Sequence, residues 1–179
     1  DDGQLSEVFV NVAGFGANGE VAARTNRSSK RFGGTATFVS ASLKTMVSYK
    51  PKRVVLSIDG PDGPVEWENE LFSAFVANGQ YCGSGMLVGS GGSMQDGQFD
   101  VSLLGPSPLL QQMVDFRRLY DGTLHKAYGA SRITATSVAA HSSDGHPIPI
   151  ELDGETRGTL PARFDVLSKA LTIRGSWVK

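Results

Sequence analysis

Asp-Gly pairs punctuate the chain at Asp59-Gly60, Asp62-Gly63, Asp96-Gly97, Asp121-Gly122, Asp144-Gly145 and Asp153-Gly154. Such pairs favour tight turns, because glycine tolerates positive φ and aspartate bonds its own nearby backbone. Turns at this spacing leave room only for short elements between them. The 22 glycines in 179 residues point the same way, since the ordinary share is about 7%.

The segments between the turns alternate apolar and polar residues, as half-buried strands do. "EVFVNVAGFG" reads as a strand ending in a glycine turn. "KRVVLSIDGPDGPVEWENE" reads as a hairpin, with Val54, Leu56 and Ile58 on one arm, Val65 and Trp67 on the other, and Asp62-Gly63 at the turn. "LFSAFVANGQY", "GMLVGS", "QFDVSLLG", "RITATSVAAH", "PIPIELDG", "ARFDVLS" and "ALTIRGSW" continue the pattern. Two segments depart from it. In "GGTATFVSASLKTMVSYKP", Ala36, Val39, Leu43, Met46 and Val47 recur at helical spacing, with Pro51 beyond the end. In "GPSPLLQQMVDFRRLYDG", Ser107 suits an N-cap and Pro108 a first turn, Leu109, Leu110, Met113 and Val114 form one face, and Gly122 closes the helix. The expected fold is therefore mainly β: a β-sandwich of about 9–12 short strands with two α-helices, a single domain over residues 1–179.

Composition limits the functions open to such a domain. The chain is 40% hydrophobic and 20% charged, with net charge -1, so neither disorder nor general attraction to nucleic acid is expected. No apolar run approaches the roughly 20 residues that span a bilayer, and nothing reads as a secretion signal. The lone Cys82 has no internal disulfide partner, which suits a reducing cytoplasm.

The candidate chemistry is carried by few residues. Gly14, Gly16 and Gly19 in "GFGANG" match a dinucleotide fingerprint, but "EVAARTNRSSK" after them is a poor helix and no acid stands about 20 residues on. A local backbone requirement explains these glycines better. His125, His141 and His146 show no metal-ligand spacing, and Cys82 has no histidine close in sequence to activate it. Asp96, in "GSGGSMQDGQFDV", lies on a loop able to aim one carboxylate and backbone carbonyls at a hard cation. Asp153 and Glu155, in "PIPIELDGETRG", are carboxylates two residues apart; in extended geometry they share a face, where one can take a proton from a hydroxyl while the other orients it. The bland alternative is a solvated hairpin tip.

The order "FVNVAGFGANGEVA", "FVANGQYCGSGM", "DGQFDV", "LDGE" resembles the C-terminal half of the bacterial diacylglycerol kinase family. These lipid kinases are related to sphingosine and ceramide kinases and more distantly to NAD kinases. The resemblance runs from about Val8 to Leu171. It implies the substrate-side β-sandwich of a two-domain enzyme that moves the γ-phosphoryl group of ATP to a lipid hydroxyl, such as that of diacylglycerol or a sphingoid base. Glu155 then stands at the proton-acceptor position, with Asp153 as the neighbouring acid. Asp96 stands at a Mg²⁺ aspartate, with backbone oxygens of Ser93 and Gln98 as companions, and Asn78 and Gly79 shape the cleft. Ser84 in "GSGM" and the loop "VGSGGSMQ" depart from the family pattern. The "GGDGT" motif of the nucleotide-binding half is absent. The chain is accordingly expected to be the C-terminal piece of such a kinase, inactive alone and partnered by a nucleotide-binding domain. Its lipid substrate implies cytoplasmic location with transient contact at the inner membrane surface; a homodimer is compatible with this. A non-catalytic β-sandwich assembly module and an NAD-kinase-like phosphotransferase are the alternatives.

Overall fold

A computed structural model of the protein describes residues 6–28 and 33–172. In chain order the elements are β1 (Val12–Gly16), α1 (Ala17–Arg27), α2 (Gly34–Ser48), β2 (Lys52–Gly60), β3 (Gly63–Leu71), β4 (Ser73–Ala77), β5 (Tyr81–Cys82), β6 (Met86–Leu87) and β7 (Phe99–Leu104). There follow α3 (Leu109–Asp115), 3₁₀ turns at Phe116–Leu119 and Leu124–Lys126, β8 (Ala130–Ala135), β9 (Ser137–Ser142), β10 (Pro149–Leu152), β11 (Glu155–Thr159) and β12 (Ala162–Asp165). The strand expected over "ALTIRGSW" runs past Thr172, outside the described residues.

Two antiparallel sheets form the sandwich. One has the order β11-β10-β1-β4-β7-β8 and the other β12-β9-β2-β3. The hairpin expected at Asp62-Gly63 is present, with Gly60 opposite Gly63. "RITATSVAAH", expected as one strand, is two: Thr136 separates β8 in the first sheet from β9 in the second. Between the sheets lie Phe15, Leu56, Ile58, Val76, Val101, Leu103, Val138, Ile150 and Phe164. This core follows from the period-2 alternation, which sends every second residue of each strand inward.

The six-stranded sheet is covered on its other face as well, and this explains why β1 and β4 are buried at every position. The three α-helices and the 3₁₀ turns lie on that side, over a second cluster of Val12, Phe75, Ala77, Met86, Val88 and Leu124. Two helices were expected; the third is α1. Its sequence, with Asn18, Gly19 and Thr25, has poor intrinsic helicity. The helix forms because Ala17, Val21, Ala22 and Ala23 bury one face, and packing of this kind overrides propensity. A Glu20–Arg24 ion pair at 2.7 Å spans one turn on the outer side.

The other two helices form where periodicity expects them but face the opposite way. α2 buries Ala41, Ser42 and Thr45, while Leu43 and Val47 are 47% and 72% exposed. α3 is shorter than expected and does not reach Gly122. Pro108, with no side-chain cap, holds the N-cap position assigned to Ser107. Leu109, Leu110, Met113 and Val114 are exposed, Leu110 by 76%, and the buried residue is Asp115. Asp115 accepts from Gln111 at 2.9 Å, from Arg118 at 2.7 Å and from the Tyr128 backbone N–H at 3.0 Å. A polar hub thus ties α3 to the 3₁₀ turns where an apolar seam was expected.

Candidate functional site

The helix layer does not close down on the sheet. Between them lies a cavity of about 550 Å³, within the range of small-molecule sites. Its apolar walls come from Phe38 of α2, Phe75 of β4, Leu104 of β7, and Phe116, Leu119 and Leu124 of the 3₁₀ turns. Its polar lining includes Asn11 and Asn18 near β1, Glu151, Asp153 and Gly154 at the β10–β11 turn, and Gln112 and Asp115 of α3 on the helix side.

The glycine motif makes this geometry possible without itself binding anything. Gly16 has φ 90° and turns β1 directly into α1. A side chain on Gly14 would collide with Asn18, and one on Gly19 with the Pro149 carbonyl. The first amides of α1 already have protein partners: Ala17 N–H donates to the Phe72 carbonyl at 2.8 Å, Asn18 N–H to the Ser73 hydroxyl at 3.3 Å, and Gly19 N–H to the Asn18 side chain at 2.9 Å. These amides are therefore committed to the fold and do not form a phosphate cradle. A helix does follow the motif, contrary to the expectation from "EVAARTNRSSK".

The two acids expected to work together are separated. Leu152 pairs with Glu155, so Asp153 and Gly154 form the two-residue turn, with φ 49° and 88°. They do not lie on a common extended face. The Asp153 carboxylate lines the cavity, yet it is engaged by the backbone N–H groups of Val10 at 2.8 Å, Asn11 at 3.0 Å and Val12 at 2.9 Å. Its position fixes the lead-in to β1. Glu155 is exposed at the start of β11, opposite Leu152 and outside the cavity lining. Asp153→Ala removes the acceptors of three N–H groups and places alanine at positive φ; a loss of about 2 kcal/mol is expected. Asp153→Asn, which tolerates that φ, should lose about half as much. Urea unfolding of the three proteins checks this, and equal midpoints would remove the bracing role.

The acid that sequence patterning missed is Glu151. It sits on the helix-facing side of β10, paired across to Gly14, and is only 7% exposed. One carboxylate oxygen accepts the Gly154 N–H at 2.7 Å. The side chain lines the cavity. Burial pushes its pKa up from 4.5 to about 7; the Gly154 hydrogen bond opposes the shift and the Asp153 charge adds to it. A signal was present in "PIPIELDG": Ile148, Ile150 and Leu152 serve the sandwich core, which leaves Glu151 on the opposite face. Cys82 also lines the cavity, and its thiol is pushed up to about 12 by burial first and by the Glu151 charge second. It stays protonated and is a poor nucleophile.

Asn78 and Gly79 hold the same lead-in from its other side. Their N–H groups donate to the Asn11 carbonyl at 2.9 and 2.8 Å, and the Asn78 side chain donates to the Val10 carbonyl at 2.7 Å. The predicted cation loop is compact and exposed. Asp96 N–H donates to the Ser93 carbonyl at 3.3 Å, and an Asp96 carboxylate oxygen accepts the Gln98 N–H at 2.9 Å. Its donors are all oxygens on one tight turn, which fits a hard cation that keeps much of its water. Among the described residues no three His, Cys, Asp or Glu side chains gather as a metal cluster. Neighbouring Asp100 serves the fold instead. It pairs with Arg132 at 2.6 Å and accepts the Gly91 N–H at 2.9 Å, pinning the glycine-rich loop. His125, His141 and His146 are all exposed. No helix among the described residues is long and apolar enough to cross a membrane.

Residues 11–175 match the family described as the YegS C-terminal NAD kinase beta sandwich-like domain. A "probable lipid kinase YegS-like" protein of Pseudomonas putida is 28% identical over 176 residues, covering 96% of this chain and 54% of the relative. One from Pseudomonas aeruginosa is 27% identical over 175 residues, covering 93% and 53%. The chain thus spans about half the length of the curated relatives it matches. The crystal structure of a diacylglycerol kinase from Bacillus anthracis str. Sterne shares the fold, with TM-score 0.54 at 14% identity over 89% of this chain and 47% of that one. The two-sheet sandwich, the matched residues and these relatives agree: this chain belongs to the family of YegS C-terminal NAD kinase β-sandwich-like domains, the C-terminal domain of lipid-kinase-like proteins.

Proposed function

We propose that this domain is the acceptor side of an ATP-dependent lipid kinase, and that its cavity receives the lipid. The observation that carries this is the pairing of a largely apolar 550 Å³ hollow with the acids Glu151 and Asp153 at the β10–β11 turn, in a domain whose relatives are named as lipid kinases. An acyl chain would displace water from Phe38, Phe75 and Leu124 at about 25 cal/mol per Å² of apolar surface. The polar head would remain beside the β10–β11 turn. The outward apolar residues of α2 and α3 support transient contact with the membrane that supplies the substrate.

The phosphoryl donor comes from a nucleotide-binding domain that precedes this one, for which ATP is the co-substrate. In the reaction the bond from the γ-phosphorus to its bridging oxygen breaks, a bond from that phosphorus to the lipid oxygen forms, and the hydroxyl proton passes to a carboxylate. Glu155 is the proton acceptor in this scheme, as the family resemblance implies; it is exposed at the start of β11, beside the turn whose Asp153 and Gly154 line the cavity. Asp153 holds the turn beneath it. Asp96, with the carbonyls of Ser93 and Gln98, would hold Mg²⁺; such an ion supplies positive charge that braces the loop between β6 and β7. Phosphoryl transfer depends on this positioning more than on covalent help.

The test is the two-domain protein carrying this chain, assayed with ATP and Mg²⁺ against diacylglycerol, sphingoid bases, phosphatidylglycerol and NAD. Phosphorylation of a lipid and not of NAD is expected. Glu155→Gln should lower kcat by about 10²–10⁴-fold, the usual contribution of a general base. NAD as the sole acceptor would overturn the lipid reading, and wild-type turnover in the variant would remove Glu155 from the chemistry.

A further inference from the structure

Two carboxyl groups are built around one two-residue turn. Asp153 turns back on the chain, with one oxygen accepting the Val10 N–H at 2.8 Å and the other the Asn11 and Val12 N–H groups at 3.0 and 2.9 Å. Its own N–H donates to the Val12 carbonyl at 2.9 Å. The next amide, that of Gly154, donates instead to Glu151 at 2.7 Å. The lead-in to β1 and the buried Glu151 are thus fastened to the same turn by successive residues. The phosphotransfer scheme gives Glu151 no part.

Among the described residues no cation is free to hold both acids ionised. β10 is flanked by β1, which carries no ionisable side chain, and by β11, whose Glu155 is exposed and whose Arg157 pairs with Glu7 at 3.0 Å. α1 packs on β10, but its Glu20 and Arg24 pair with each other at 2.7 Å and its Arg27 is exposed. The hollow is also lined by Asp115, held by Arg118 at 2.7 Å, and by Cys82, whose thiol burial keeps protonated. Glu151 accordingly ionises late, at about 7, because it is buried and because Asp153 is already charged; only the Gly154 hydrogen bond opposes this. Coupling between two sites is reciprocal. What the Asp153 charge costs Glu151, an ionised Glu151 costs the Asp153 clasp. We propose that the β10–β11 turn is a pH-sensitive latch: with Glu151 neutral, Asp153 holds Val10–Val12 closed, and loss of the Glu151 proton to water loosens that hold. Asn11 and Val12 line the hollow, so one wall of it slackens with the same proton. The latch does not depend on what the hollow contains.

Amide hydrogen exchange read by NMR on this chain tests it. The Val10, Asn11 and Val12 amides would be followed between pH 6 and pH 8, each rate divided by its intrinsic value, in wild type and in Glu151→Gln. Their protection should fall about 10-fold in wild type, within the usual span of coupling between sites, and stay level in Glu151→Gln. It should also lie below that of the Val101 amide at every pH, which marks local opening and not global unfolding. Level protection in wild type, an equal fall in both proteins, or protection equal to that of Val101 would each overturn the latch. A second measurement does not depend on the glutamine variant. The Glu151 carboxyl, followed by ¹³C NMR, should titrate at lower pH in Asp153→Asn than in wild type. An unchanged midpoint would show that the two acids do not feel each other, and would overturn the proposal. Both readouts are independent of whether the two-domain protein phosphorylates a lipid.

Discussion

Gly19→Ala is expected to destabilise the protein by about 3 kcal/mol or more, the upper end of what overpacking costs in a closed core. Gly19 is buried at the point where α1 lies on β10. Its added Cβ would meet the Pro149 carbonyl oxygen and stand 2.6 Å from the carbonyl carbon, with Ile150 N at 3.3 Å. These are backbone atoms of a paired strand and have no rotamer to change. Relief requires α1 to lift off the sheet, taking Asn18, Val21 and Ala22, which line the cavity. Helix propensity works the other way, since alanine is about 1 kcal/mol better than glycine in a helix interior. The sign of the measured change therefore separates the two effects. Urea unfolding of wild type and Gly19→Ala reads it directly, and a stabilised variant would mean that α1 does not pack on β10 as described.

Glu151→Gln is expected to gain stability relative to wild type as pH rises through neutrality. The folded carboxyl titrates near 7 against an ordinary 4.5. The folded protein thus holds this proton more tightly than the unfolded chain does. The stabilisation is complete below about pH 4.5 and is lost as pH rises through 7. The full span corresponds to about 3 kcal/mol. Glutamine keeps the shape and the acceptor for Gly154 N–H but does not ionise. Wild type should therefore lose stability relative to Glu151→Gln between pH 5 and pH 8, the other titrating groups being common to both proteins. Parallel pH profiles would show that the carboxyl is solvated and not enclosed by α1.

The sandwich itself was legible, because period-2 alternation and turn chemistry are local. Val54, Leu56 and Ile58 declared their inward face, and Asp62-Gly63 its turn. The helix layer was legible only in outline. Periodicity located α2 and α3 but could not say which face is wet, since Leu43 and Ser42 are distinguished only by what the sheet presents to them. α1 was invisible because its stability resides in contacts with α2 and the sheet beneath it, and not in its own residues. The acid turn divided the same way. "LDGE" marked the place, yet the roles within it depend on the pairing of Leu152 with Glu155, which turns Asp153 back on the chain. Glu151 was passed over because an acid on a strand's second face looks solvated until a helix covers it.

The turn at Asp153 also acts as a joint. Its carboxylate grips three consecutive amides at the entry to β1, and the amide of the next residue sets the direction of Glu151. Tension on the strand's entry must either break that grip or drag the hairpin with it, so a tug at Val10 would be felt at the floor of the hollow.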